Sequence, residues 1–298
     1  MKRSYQIDDI RKRVLGILSK SRDGVSGLEM ASVLNIARIT THKYLSTFAS
    51  EGLIRHQNMG NVVIWTINDG AETFQFPDDY FRVRTKFLDG LLGRNDQIPA
   101  TIIRCCLSSG AQVSRLMTDV IIPAITSIRS MYDDARMGES EKGMIESRIL
   151  NCIKVAQVHT PYPDDERNVV LIAADAQSLL QCHCAEASYR AGKWQVYNLG
   201  DMSSSVNVLL DIDLPKFLSQ VWRSRQGVMI ILVLSKTEEG LNFFADMANS
   251  SGIRKRSNLY LALHGRAGQK AEIDSDIITD DLDKLLQWSE TIFEKHVD

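Results

Sequence analysis

The chain has 298 residues, of which 44% are hydrophobic and 24% are charged, and its net charge is −2. This length allows more than one domain core, and the composition is that of a globular protein. No apolar run reaches the length of a membrane span, and the charged start MKRSYQIDDIRKRV lacks the apolar segment of an export signal. Five scattered cysteines do not make a disulfide framework, so a cytoplasmic location is expected.

The charge is distributed unevenly along the chain. Residues 1–68 hold ten lysines and arginines against five acids, a net charge of +5, which leaves −7 for the remainder. A basic module joined to an acidic body favours a polyanion as the partner of the first module.

Three helices followed by a hairpin are predicted for the N-terminal part. The first helix covers residues 8–21, and Ser26 is predicted to cap the second. The third helix, 38–49, ends near Gly52, and two strands then flank a turn at 57–61. The predicted inward-facing residues of the second and third helices are Leu28, Ala31, Leu34, Ile36, Thr41, Leu45 and Phe48.

The stretch LNIARITTHKYLSTFASEGLI resembles the second and third helices of bacterial and archaeal winged helix-turn-helix repressors, and the resemblance covers residues 10–68. It implies that the helix 38–49 lies in the major groove of double-stranded DNA and that a dimer reads two half-sites. The alternative is a winged helix that serves as a protein–protein module. The expected DNA contacts are Arg38, Thr40, His42, Lys43 and Ser46 from the helix, and Arg55, Gln57 and Asn61 from the wing.

A polar connector at 69–79 precedes four predicted helices, which are separated by breaks at 93–99, 108–111 and 134–139. The segment LMTDVIIPAITSIRSMY, with SSGA before it, resembles the four-helix cap that precedes a cobalamin-binding domain in methionine synthase and in light-sensing B12-dependent repressors. In those repressors a Trp and a Glu-His pair contact the upper face of the cofactor. Tyr132 takes the Trp position here and Lys142 and Gly143 replace the pair, so these contacts are largely missing.

Short apolar strands alternate with helices from Asn168 onward, and one helix is predicted to break near Pro215. This alternation predicts a Rossmann-like (flavodoxin-like) α/β domain with a parallel sheet, whose ligands bind at the carboxyl ends of the strands. The predicted strands are 168–174, 194–200, 227–235 and 258–265. The expected multidomain organisation is a winged helix-turn-helix at 1–70, a four-helix bundle at 71–160 and the α/β domain at 161–298.

The segments YNLGDMSSS, GVMIILVLSKTEEGLNFFADM and LALHGRAG resemble the cobalamin-binding domain itself. The hallmark of that family is Asp-x-His-x-x-Gly, in which the His binds cobalt and the Asp orients the His. Ala176, Ser178 and Gln181 stand at these positions here, so the cobalt ligand is absent. The sequence therefore predicts neither a metal site nor an enzyme.

The expected function is a transcriptional regulator whose C-terminal domain senses a ligand or a partner protein. Three molecules are candidates for the sensed ligand: cobalamin whose cobalt has no protein ligand, haem, and a small metabolite. The alternatives are an adaptor that uses a degenerate domain for dimerisation or partner recruitment, and a corrinoid-dependent protein or methyl carrier. The candidate ligand-binding residues are Tyr132, Ser178, Gln181, Ser235, His264, Gly265 and Gly268.

The run Cys182-His183-Cys184 places three metal-ligand types side by side. Consecutive residues of a helix point about 100° apart, so these side chains do not converge on one ion. Ser188 and Cys184 are expected to face inward and His183 to lie off that face, which predicts a structural role.

Overall fold

The computed structural model describes residues 7–21, 23–158, 160–203, 210–222, 226–250, 258–266 and 273–297. The chain forms two compact units. Unit 1 comprises Met1–Gln112 and Thr126–Ala156, and unit 2 comprises Val113–Ile125 and Gln157–Asp298. Within the described ranges, no helix is both long and apolar enough to span a membrane.

Unit 1 begins with three helices and a small antiparallel sheet, in the predicted order. The strands lie in the order β1-β3-β2. The elements are α1 (Ile7–Leu18), β1 (Val25–Ser26), α2 (Gly27–Leu34), α3 (Arg38–Ser50), β2 (Ile54–Met59) and β3 (Val62–Ile67).

The caps and the helical period explain these helices. The Ser26 hydroxyl accepts a hydrogen bond from the Glu29 amide and the Glu29 carboxylate accepts one from the Ser26 amide, a capping box that starts α2. The predicted inward face of α3, with Thr41, Leu45 and Phe48, is fully buried. Two details of the prediction are wrong, since Leu28 is 64% exposed and the hairpin loop is only residues 60–61.

Leu28 is exposed because the cap at Ser26 fixes the phase of α2. With the helix beginning at Gly27, Met30, Ala31 and Leu34 share the inward face, and Leu28 lies on the other side. The cap at Ser26 is the predicted one, so the error lies in assigning Leu28 to the inward face of a helix that begins at Gly27.

The four helices predicted for the middle of the chain are present, and the loops between them lie at the predicted breaks. The third is continuous but contains a π-helical turn. The elements are α4 (Tyr80–Leu92), α5 (Gln97–Ser108), α6 (Val113–Leu116), the π turn (Met117–Ile121), α7 (Ile122–Asp133) and α8 (Glu139–Gln157).

The connector 69–79 packs against α4 and α5. Phe74 is buried, and its amide donates to Ser109 Oγ at 3.4 Å. The Glu72 amide donates to Cys105 Sγ at 3.4 Å, and the Glu72 carboxylate pairs with Lys86 at 2.8 Å. The N-terminal elements and these helices are thus joined by an ordered segment.

The described residues of unit 2 form five parallel strands in the order β5-β4-β6-β7-β8. Numbered from the first strand of the sheet, this is the flavodoxin-like order 2-1-3-4-5, so the predicted α/β fold is confirmed. The elements are β4 (Asp164–Ala173), a 3-10 turn (Ala176–Ser178), α9 (Leu179–Ala191), β5 (Trp194–Asp201), α10 (Leu210–Val221), β6 (Val228–Leu234), α11 (Glu238–Ser250), β7 (Leu259–His264), β8 (Ile277–Thr279) and α12 (Leu282–Val297).

The sheet separates two apolar cores, because successive side chains of each strand point to opposite faces. One core joins the sheet to α10 and α11 through Leu218 and Phe244, and the other joins it to α9 and α12 through Tyr189 and Leu285. The sequence missed β8, and the predicted break near Pro215 is wrong, since α10 runs through that residue.

Candidate functional site

One candidate site is the outer face of α3 and the hairpin β2–β3. All eight predicted DNA contacts are exposed. The structure brings Arg38, His42, Lys43 and Asn61 together in a groove of about 860 Å³ between α3 and β3. The other four, Thr40, Ser46, Arg55 and Gln57, are exposed outside the lining of this groove.

Trp65 lines the same groove. Its ring is buried and makes an edge contact with the ring of His42 at a centroid distance of 6.2 Å. His42 Nδ1 lies 3.4 Å from Ser46 Oγ, so this ring is oriented from two sides. The sequence reasoning missed the aliphatic residues that line the same groove, which are Leu28, Ile39, Val62 and Val63. The sequence pattern predicts Leu28 as inward-facing and assigns no role to the other three, because exposure is a property of the folded chain.

The second candidate site is the crevice between the carboxyl ends of β4 and β6, where the strand order reverses. Asp175, just after β4, joins the two sides. Its Oδ1 accepts from the Ser178 amide at 2.8 Å and the Ser178 hydroxyl at 2.9 Å. Its Oδ2 lies 2.9 Å from Ser235 Oγ and accepts from the Lys236 amide at 2.8 Å. Asp175 was not among the predicted residues, although an acid directly after a buried strand was a visible signal.

One of the predicted ligand residues, Gly265, has a backbone role in this crevice. The Gly265 amide donates to the Thr279 carbonyl at 3.0 Å. A Cβ at Gly265 would lie 2.4 Å from the Ser235 carbonyl oxygen, so only glycine fits there. Gln181 is buried on α9. Gly268 lies outside the described residues.

His264 ends β7 and is 5% exposed. Its Nδ1 has no hydrogen-bond partner. Burial, followed by the charge of Lys236, lowers the pKa of His264 to about 4, although Asp280 and the Thr279 carbonyl act in the other direction. The imidazole is therefore neutral at physiological pH.

Tyr132 lies in unit 1, at the end of α7. Lys142 Nζ stands 4.4 Å from the centroid of its ring. A hydrogen bond to Glu139 and the charge of that carboxylate raise the pKa of the Tyr132 phenol. The side chain is thus engaged by two residues of the first turn of α8.

The Cys182-His183-Cys184 run belongs to a polar network that fastens α9 to β5. Glu186 Oε2 lies 3.3 Å from His183 Nδ1 and accepts from Asn198 Nδ2 at 2.8 Å. Arg190 donates to the other carboxylate oxygen at 3.1 Å. Burial would raise the pKa of Glu186, but these hydrogen bonds and the Arg190 charge outweigh it and hold the pKa at about 2.

Both cysteines of the run are fully buried, and burial, with Glu186 nearby, raises the pKa of the Cys182 thiol to about 12. A neutral, buried thiol is neither a nucleophile nor a metal ligand. Across the described part of the chain, no three His, Cys, Asp or Glu side chains are grouped so that they could hold a metal ion.

A solved corrinoid protein resembles this chain in fold. The monomethylamine corrinoid protein of Methanosarcina barkeri matches with a TM-score of 0.52 at 12% identity, over 70% of this chain and 98% of that chain. A cobalamin-binding protein of Desulfitobacterium hafniense has a TM-score of 0.39 at 11% identity, over 72% and 98% of the two chains. At such identities the first match shows the fold alone. No protein-family profile matches the chain, and no curated protein matches its sequence.

The residues of the crevice do not fit a corrinoid held by a histidine. Of Ala176, Ser178 and Gln181, the first has no polar side-chain atom, the second is bonded to Asp175 and the third is buried. When the family motif is instead counted from Asp175, Gln177 falls at the His position. Neither register supplies an imidazole to cobalt.

Proposed function

We propose that the chain is a DNA-binding transcriptional regulator, in which α1 to β3 form a winged helix-turn-helix with α3 as the recognition helix. The observation that carries the proposal is the exposed groove where Arg38, His42 and Lys43 of α3 meet Asn61 of the hairpin. These side chains offer the charges and donors that phosphates and base edges accept.

The charge of the N-terminal elements supports a polyanion partner. Arg11 is 9% exposed and occupied by Asp8 and Glu51, whereas Arg38, Lys43 and Arg55 are exposed. A single such module binds DNA weakly, so the proposal includes a dimer that reads two half-sites. It also includes a cytoplasmic location and the absence of enzymatic activity.

Unit 2, with its fold shared with a corrinoid protein, is the proposed sensing part. Its crevice contains Asp175, Ser235 and His264 but lacks a histidine at the cobalt-ligand position. The effector is therefore a tetrapyrrole held without that histidine, a small metabolite, or a partner protein. An adaptor that recruits a partner and senses nothing is the alternative within the same function.

The DNA-binding proposal is tested by titrating the full chain against a fluorescent duplex pool of random sequence over a series of salt concentrations. Each phosphate contact contributes about 0.9 to the slope of log affinity against log salt concentration. Lys43→Ala should lower the slope by about that amount. The control is Arg94→Ala, at an exposed cation of the α4–α5 loop, which should leave the slope unchanged. No binding at low salt, or an equal loss in both variants, would refute the proposal.

A corrinoid carrier is the second candidate, because the monomethylamine corrinoid protein matches the fold of this chain with a TM-score of 0.52. The purified chain is incubated with hydroxocobalamin or with hemin, desalted, and examined by absorption spectroscopy. Stoichiometric retention of the corrinoid supports the carrier, retention of hemin supports a haem sensor, and retention of neither supports a metabolite, a partner or an adaptor.

A further inference from the structure

The outer face of α3 has an isoleucine at its centre. Thr41, Leu45 and Phe48 point inward, and by the helical period Ile39 lies on the opposite side, four residues before Lys43. Ile39 is 76% exposed, the largest exposure among the apolar residues of the groove. It occupies the first turn of α3, the part of a recognition helix that approaches base edges.

Ile39 belongs to a continuous apolar surface. Leu28 of α2 and Val62 and Val63 of β3 line the same groove, and each of the three is more than a third exposed. Single exposed apolar residues are ordinary, but neighbours from three different elements that meet in one groove indicate a binding surface.

The charges around this apolar surface select its partner. Arg38 and Lys43 lie on its rim, and among the described residues that line the groove none is acidic. The partner must therefore be an anion that also presents apolar groups. In the major groove of DNA, the 5-methyl group of thymine is the apolar group presented beside the base edges, and the phosphates supply the charge.

We propose that Ile39 is a specificity residue that packs against thymine methyl groups, so that the chain prefers sites with thymine opposite the first turn of α3. The inference rests on the proposed DNA-binding function and adds the base that this face selects. An acidic peptide with apolar side chains is the competing occupant, and the experiment separates the two.

The experiment starts from duplexes that the wild-type chain selects from a random pool. The best one is synthesised with thymine and again with uracil at the same positions, which removes only the methyl groups. Each buried methyl is worth about a fourfold change in affinity, so the wild-type chain should bind the uracil duplex about fourfold more weakly per contacted thymine. Ile39→Ala should bind both duplexes equally and resemble the wild type on the uracil duplex.

The matched control is Val33→Ala, which shortens another exposed β-branched residue, on α2 but outside the groove lining. It should retain the full difference between the thymine and uracil duplexes. Equal wild-type affinity for both duplexes, or loss of the difference in Val33→Ala, would overturn the thymine inference while DNA binding stands. Failure of every variant to bind any duplex at low salt would instead overturn the proposed function and the inference together, and leaves the peptide as occupant.

Discussion

At the residue scale, His264 gives unit 2 a defined response to acid. The folded chain holds it buried and neutral with a pKa of about 4, whereas in the unfolded chain it titrates near its ordinary value of 6.5. Between pH 6.5 and pH 4, the unfolded chain is protonated at His264 while the folded chain is not. The stability that depends on the neutral imidazole is therefore complete above pH 6.5 and is lost as the pH falls to 4.

Urea unfolding of the wild type and His264→Asn across this range tests the effect. The asparagine does not titrate, so the wild type should lose up to about 3 kcal/mol of unfolding free energy relative to the variant between pH 6.5 and 4. His296→Asn, at an exposed histidine near the end of α12, should show the wild-type pH dependence. Parallel curves for the wild type and His264→Asn would contradict the buried, neutral imidazole.

The residues of the crevice also show which features a sequence pattern predicts and which it does not. The positions of Ser235 and His264 at strand ends followed from the run of apolar residues before each. Asp175 also follows an apolar run, but its contacts with Ser235 and Lys236, which are 60 and 61 residues away along the chain, do not follow from that run. Periodicity identifies elements, but it does not report which loops meet.

At the element scale, Arg11 connects three helices of unit 1. It donates from α1 to the Glu51 carboxylate, just after α3, and to the Ser108 carbonyl at the end of α5, each at 3.2 Å. Its guanidinium also lies over the ring of Phe48, 5.3 Å from the centroid. Such partners offset the free-energy cost of burying a charged side chain.

Replacement of Arg11 by methionine keeps an unbranched apolar stem and removes the guanidinium with its charge-assisted hydrogen bonds. It should lower the unfolding free energy of unit 1 by about 1–3 kcal/mol, as measured by urea unfolding of the full chain. Lys12→Met changes the next residue on the exposed side of α1 and should have little effect. A stability of Arg11→Met equal to that of Lys12→Met would show that these contacts do not join the helices.

Elements were easier to predict than their limits. Within the described residues the predicted helices are present, because amphipathic repeats leave a clear 3.6-residue period. The three-residue strand β8 was missed because Ile277–Thr279 is too short to show any period. Pro215 predicts a break in the sequence pattern, yet it lies in the second turn of α10, which begins at Leu210. The aliphatic groove was missed for another reason, since exposure depends on how α2, α3 and β3 meet.

At the scale of the whole molecule, unit 2 is assembled from two separate parts of the chain. α6 and the π turn contact α9, and Ile122 packs against the core that α9 shares with the sheet. Burial raises the pKa of Asp283 on α12, and the charge of Asp119 in the same segment raises it further. The charge of Arg115 acts in the opposite direction. The predicted α/β domain at 161–298 does not contain residues 113–125. Whether the α/β domain folds without that segment can therefore be tested.

A fragment of residues 157–298 should therefore be incomplete, because it leaves the outer side of α9 uncovered. Burial of two large apolar side chains contributes about 3–6 kcal/mol, which is comparable with the net stability of a whole domain. The fragment alone should bind a hydrophobic dye and unfold without a sharp transition. Added peptide 113–125 should suppress dye binding saturably and raise the midpoint of thermal unfolding, since it binds only the folded state, while a scrambled peptide should do neither. A fragment that unfolds cooperatively without the peptide and excludes the dye would instead show that residues 157–298 form a complete domain. In that case α6 and the π turn would be an accessory to the α/β fold rather than part of its core.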